Sequence, residues 1–190
     1  MRTYIWQIRR DLGFEDGRLE ATDGGYILRV RDGEFDLLNF QNLAGRGGRH
    51  LHEKRYKSAI SAYTEALSFW RGAPIGGVAL PQLLQAEAEW INDRRLAAFE
   101  GLMEATLQIG EYDAVIERVG LEIVRNPLRE GLYRLAMNAL LISGREGEAL
   151  MLYEKARSVF YAELGIGPGA SLGDLYGQIM STRGIVGKSL

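Results

Sequence analysis

The sequence predicts a mainly α fold of stacked helical hairpins, and three observations carry that prediction. From Phe35 onward the apolar residues recur with the helical period almost to the end of the chain. Turn residues interrupt that pattern, as at Ser143-Gly144 between two amphipathic segments and at the Gly/Pro stop of 165–169. A small-large-small run, Ala149, Tyr153 and Ala156, falls at the i, i+4, i+7 spacing of one helix face and has a second copy in Ala59, Tyr63 and Ala66. Such a face lets one hairpin pack on the next. Stacked hairpins are binding scaffolds, so the question becomes what is held rather than what is catalysed.

Taken in order, residues 1–12 read as a helix, with Ile5, Ile8 and Leu12 on one face and Arg2, Arg9 and Arg10 largely off it. Gly13 and Gly17 end it. Residues 18–30 read as a β-hairpin: Leu19 and Ala21 alternate with polar neighbours, Asp23-Gly24-Gly25 marks a turn, and Tyr26, Leu28 and Val30 keep a period of two. Helices follow at about 36–51, 55–70, 82–109, 112–125, 128–143 and 145–164, with a short one near 171–181. Arg71–Pro81 is the main loop, and 182–190 is expected to be a flexible tail.

The spacing fits the tetratricopeptide pattern, whose period is about 34 residues. Stepping back one period from Ala149 reaches Val115, with Val119 and Glu122 behind it, a degenerate middle copy. The gap from Ala59 to Val115 exceeds one period, and the excess matches the loop and the long helix after it. Three irregular repeats result. In such repeats the first helix of each hairpin lines a groove. Anchoring on Ala149 puts Arg134, Asn138 and Leu141 there, with Glu100, Glu104 and Leu107 from the middle copy and Gln41 and Leu51 from the first. The polar members, Gln41, Glu100, Glu104, Arg134 and Asn138, are the candidate protein contacts.

Composition narrows the class. The chain has 190 residues, 46% of them hydrophobic, enough to bury a core. Its 23 basic and 25 acidic side chains leave a net charge of −2, so no overall field draws it to nucleic acid or membrane. Cysteine is absent, which excludes disulfides and thiolate metal sites. No apolar run approaches the roughly 20 residues of a membrane helix, and the N-terminus has no apolar signal core. The expectation is a soluble, cytoplasmic protein with no membrane association.

No catalytic constellation emerges, and neither enzyme activity nor a cofactor is expected. His50 and His52, two residues apart on a helix, point to different faces and cannot chelate one metal ion. They read as solvated residues at a helix end. The glycine run at 45–50 lacks the Gly-Lys-Ser/Thr that closes a phosphate loop and has no strand before it, so it reads as a loosened helix end. Glu100, Glu104 and Glu117 fall on helix faces expected to be exposed. Trp70 and Trp90 read as core aromatics, and Arg94-Arg95 as a basic spot on a helix face.

Four blocks, in order, resemble a known family: ALSFWRGAPIGGV (66–78), NDRRLAAFEGLMEATLQIGEYDAVI (92–116), NPLREGLYRLAMNALLISGREGEALMLYEKAR (126–157) and ELGIGPGASLGDLY (163–176). They are similar to the bacterial transcriptional activation domain of regulators of the Streptomyces antibiotic regulatory protein type, over about residues 35–180. The resemblance implies tetratricopeptide-like hairpins attached after an OmpR-type winged-helix DNA-binding domain. It also implies activation of transcription by contact with RNA polymerase or another transcription protein, and a second copy of the chain as a further partner. TYIWQIRRDL (3–12) resembles the second half of that family's recognition helix, and RLEATDGGYILRV (18–30) its wing. The DNA-contacting positions carried over are Arg2, Thr3, Trp6, Arg9 and Arg10.

The implied organisation is therefore a partial winged-helix domain at 1–31, holding the end of the recognition helix and the wing, then the activation domain at 35–181 and the tail at 182–190. Charge opposes DNA binding by the wing, since Glu15, Asp16, Glu20 and Asp23 there face only Arg18. The alternative is a stand-alone tetratricopeptide-like adaptor with no direct DNA contact.

Overall fold

The computed structural model describes residues 2–11, 13, 17–31, 33–72 and 81–186, with the side chains of 2–3, Leu83 and 182–186 left aside. Helix α1 (Arg2–Asp11) precedes a two-stranded hairpin, β1 (Leu19–Thr22) and β2 (Gly25–Leu28). Among the described residues seven helices follow: α2 (Asp36–His52), α3 (Tyr56–Ser68), α4 (Gln82–Gln108), α5 (Tyr112–Arg125), α6 (Glu130–Ile142), α7 (Glu146–Leu164) and α8 (Ala170–Val186). The mainly α reading and its hairpin order hold. The loop expected at Arg71–Pro81 falls mostly on 73–80, outside the described residues.

Hairpins α2–α3, α4–α5 and α6–α7 stack in register. The first helices, α2, α4 and α6, neighbour one another and continue to α8, while each second helix packs on the first helix of the next pair. This makes an inner layer of α2, α4, α6 and α8 and an outer layer of α3, α5 and α7.

The small-large-small runs explain the stacking. Ala59, Ala66, Ala149 and Ala156 are fully buried, and so are Val115 and Val119 of the degenerate copy. Tyr63 needs more room than alanines provide. Its ring lies between Gly47 of α2 and Gly101 of α4, where an added Cβ would stand 2.8 Å and 2.5 Å from ring atoms. Glycine is required at both places by close approach. The glycine run at 45–50 is therefore no loosened helix end. Helix α2 runs through it to His52 because Tyr63 packs on Gly47.

Each hairpin turns by the same hydrogen bonds. The N–H groups of Gly110 and Gly144 donate to Leu107 and Leu141, and the next N–H, of Glu111 and Arg145, reaches back to Thr106 and Leu140. Both glycines hold positive φ, 89° and 75°, at the left-handed site that ends a helix this way. The first hairpin makes the same pair of bonds, from Lys54 to Leu51 and from Arg55 to His50, but its left-handed residue is Lys54, at φ 56°.

Helix α8 does not stop near 181. It continues to Val186, and the remainder of the tail expected at 182–190 lies outside the described residues. Among the described residues no helix is long and apolar enough to cross a membrane, and no cluster of three or more potential ligands could hold a metal ion.

Candidate functional site

Helix α6 is the centre of the stack. Leu132, Tyr133, Leu135, Ala136, Met137, Ala139 and Leu140 are all buried, which leaves one open stripe. That stripe carries Arg134 and Asn138, one helical turn apart and both half-buried, followed by Leu141. A helix that is apolar on every other side thus keeps two polar side chains on the inner face. Asn138 has no hydrogen-bond partner among the described residues. Arg134 lies 4.0 Å from Glu104 of α4, too far for a firm hydrogen bond, and its side chain is 42% exposed. The side-chain amide of Gln108 donates to Glu104 at 3.3 Å.

Further along the inner face, Gln41 lines a cleft of about 260 Å³ between α2 and α4 with Ala44, Gly45, Arg94 and Ala97, floored by Phe40 and Tyr63. Gln41, Glu104, Arg134 and Asn138 thus share the open inner layer. Glu100 differs. The guanidinium of Arg129 grips both its oxygens, at 2.9 Å and 3.2 Å, and also reaches Asp93 at 3.1 Å. Those bonds to Glu100, chiefly, raise the Arg129 pKa above its ordinary value. Glycine at 131 leaves room for the carboxylate. Glu100 is a strut between α4 and the α5–α6 loop, not an open contact. Leu107, expected in the groove, is buried because α4 turns that position into the core.

Two aromatic expectations divide. Trp70 packs edge-on to Phe40 at 5.4 Å, as a core residue does. Trp90 does not. The first turns of α4 stand clear of the core, leaving Trp90 43% exposed beneath the guanidinium of Arg94, 4.4 Å from the ring. Arg95 is no surface feature either. It donates at 2.6 Å to Glu122, which is 4% exposed and also accepts from Asn126 at 2.8 Å. Glu122 occupies the third place of the small-large-small run, so the degenerate copy replaces an alanine with a buried ion pair.

At the N-terminus the side chains of Arg2 and Thr3 lie outside those described. Trp6 is exposed, with the Arg10 guanidinium 5.0 Å from its ring centre and bonded to Asp11 at 3.0 Å. Arg9 turns the other way and donates to the backbone carbonyl of Leu19, fastening α1 to the hairpin. The hairpin register pairs Leu19 with Leu28 and Ala21 with Tyr26, yet only Leu19 is buried. Ile8, Leu28 and Val30 remain exposed, and neither α1 nor the hairpin packs extensively on the helical layers.

The charge run Arg46–Lys57 escaped the sequence reading because a helix boundary splits it. The structure folds its halves together at the α2–α3 tip, where Arg46, His50, Lys57, Ser58 and Ser61 line one cleft. The signal was present as charge density, but periodicity does not report it.

Three stacked hairpins with a polar stripe on the inner layer define a class by fold, a tetratricopeptide-like helical repeat domain. The sequence model described as bacterial transcriptional activator domain matches residues 35–180. The chain is 30% identical over 189 residues to regulatory protein DnrI of Streptomyces peucetius, covering 95% of this chain and 70% of that protein. It is 30% identical to regulatory protein AfsR of Streptomyces coelicolor, again over 95% of this chain but only 18% of AfsR. A solved structure of Mycobacterium tuberculosis EmbR, in complex with a low affinity phosphopeptide, superposes with a TM-score of 0.88 at 26% identity, over 95% of this chain and 49% of that one.

The chain belongs to the bacterial transcriptional activator domain family. Its relatives are regulatory proteins of transcription, and the helical scaffold is theirs.

Proposed function

We propose that this chain regulates transcription by docking its inner face on RNA polymerase or a protein bound to it, with α1 as a contact to promoter DNA. The observation that carries the reading is the open stripe of α6. A central helix buried on every other side presents Arg134 and Asn138 beside Glu104, with the Gln41 cleft in line. Mixed polar groups on one face of a packed helical scaffold suit a polar protein segment, which they orient by charge and hydrogen bonding. The EmbR phosphopeptide supports no ligand assignment here, because this chain covers only half of that protein.

Arg134→Glu places a carboxylate beside Glu104 on the exposed face. Binding of purified RNA polymerase is expected to weaken about tenfold, with an unchanged helical circular dichroism spectrum. Unchanged binding removes the inner face from the account.

A second reading, an adaptor without direct DNA contact, has its own support. Arg9 is spent on the Leu19 carbonyl, Arg10 is paired with Asp11, and Glu20 of the hairpin holds Arg29 by bonds of 2.7 Å and 2.8 Å, leaving few open cations near α1 among the described side chains. An electrophoretic shift with the promoter beside its own gene separates the two. A promoter-specific complex lost in Arg10→Gln favours the regulator that touches DNA, and its absence favours the adaptor.

A further inference from the structure

We infer that the tip of the first hairpin is a second, sequence-independent contact for the phosphate backbone of duplex DNA. Residues 46–58 hold five cations, Arg46, Arg49, Lys54, Arg55 and Lys57, against the single carboxylate of Glu53, in a chain whose net charge is −2. Arg55 is paired with Glu53. Arg46, Arg49, Lys54 and Lys57 have no ion-pair partner among the described residues. That sets the tip apart from the rest of the stack. From α4 to α7 the arginines other than Arg134, whose nearest carboxylate lies at 4.0 Å, are engaged by a carboxylate or an aromatic ring: Arg94 and Arg118 by rings, Arg95, Arg125, Arg129, Arg145 and Arg157 by carboxylates. Apart from these arginines, only Lys155 among the described residues of α4 to α7 likewise lacks an ion-pair partner, and it stands alone, whereas the tip gathers four such cations within residues 46–57.

Lys54 adds an independent argument. The three hairpins turn by the same hydrogen bonds, and two of them place glycine at the left-handed position. The first places lysine there, a conformation that disfavours any residue with a Cβ. A strained residue kept where glycine fits better points to a use for its side chain.

The chemistry of the patch selects the partner. Protein interfaces are anchored by aromatic and other apolar residues and are poor in charge at their centres. Between Leu38 and Leu84 no large apolar side chain is exposed among the described residues. The patch offers cations and hydroxyls instead: Arg46, Lys57, Ser58 and Ser61 line a cleft of about 390 Å³, with Glu65 further along α3. Cations with hydroxyls are what phosphate oxygens bind, without reading sequence. The tip also lies roughly 25 Å along α2 from the linker that follows the wing, at 1.5 Å per residue, so it is distinct from the α1 surface.

The test is fluorescence anisotropy of the 190-residue chain on a labelled duplex of arbitrary sequence, titrated with salt between about 50 and 200 mM. Each lost phosphate contact lowers the slope of log affinity against log salt by about 0.9, so Arg46→Gln/Arg49→Gln/Lys57→Gln lowers it by about 2.7 and Lys54→Gly by about 0.9. Lys54→Gly must do so without lowering the melting temperature, which separates lost charge from lost fold. No binding by the unaltered chain at the low-salt end overturns the inference. So does a slope unmoved in the triple variant, including the case where only Arg9→Gln/Arg10→Gln weakens binding. Tighter binding to polyglutamate than to the duplex at equal charge assigns the tip to an acidic protein and overturns it as well.

Discussion

The packing of Tyr63 gives the sharpest test of how this scaffold holds together. In Gly101→Ala the new methyl would stand 2.5 Å from the Tyr63 Cζ and Oη. The ring cannot retreat, because Gly47 on its other side already leaves only 2.8 Å for a Cβ. Overpacking of this kind costs about 1–3 kcal/mol. Alanine also gains about 1 kcal/mol over glycine inside a helix. The upper part of the overpacking range applies where neither wall can yield, leaving a net loss of about 1–2 kcal/mol. Gly120→Ala is the control, since nothing lies within 4 Å of its added methyl and the propensity gain stands alone. Thermal melts followed at 222 nm should place the Gly101→Ala midpoint about 2–8 °C below the unaltered chain and the Gly120→Ala midpoint about 2–4 °C above it. If both alanines stabilise equally, the reasoning about Tyr63 is wrong.

Four further outcomes follow from the same structure. Arg95→Met strands the buried Glu122 carboxylate and costs about 3 kcal/mol in urea unfolding, most of which Glu122→Leu in the same chain restores. Lys54→Gly relieves the left-handed turn and raises stability by about 1 kcal/mol in the same assay. Burial raises the pKa of Tyr63 and Tyr133 above the ordinary 10.0. Their folded state holds the proton more tightly, so their contribution is intact below pH 10.0 and is lost as pH rises beyond it, with absorbance at 295 nm and helical signal changing together. Glu100→Gln weakens the bidentate hold of Arg129 and costs about 1 kcal/mol, discounted for the partial exposure of both partners.

Much of the scaffold was legible because one physical signal, apolar periodicity, writes both the helices and their stacking faces. That signal alone gives helix α5 its span from Tyr112 to Arg125, and it marks Ala59, Ala66, Ala149 and Ala156, all fully buried, as packing positions. What periodicity could not report is which helix carries a residue toward its neighbours. Gly45–Gly48 reads as a helix end until Tyr63 of another helix is seen resting on Gly47. Glu100 looks like a surface carboxylate until Arg129, distant in sequence, closes on it, and Glu122 stands as a misfit in the stacking run until Arg95 pairs with it. Trp90 reads as core because its helix is amphipathic, but it is 43% exposed, with the Arg94 guanidinium over its ring. Gln41, Glu104, Arg134 and Asn138 lie on α2, α4 and α6, the first helices of the hairpins, because the repeat period fixes which helix of each pair carries them.

The central claim is that the inner face, rather than the outer one, meets the transcription machinery. Photo-cross-linking tests it most directly. A benzophenone side chain at Asn138, on the open stripe of α6, is compared with one at Ser158, exposed on α7 in the outer layer. With purified RNA polymerase, the account predicts a cross-link to one polymerase subunit from position 138, abolished by Arg134→Glu, and none from 158. Equal cross-linking from both positions, or from 158 alone, contradicts it.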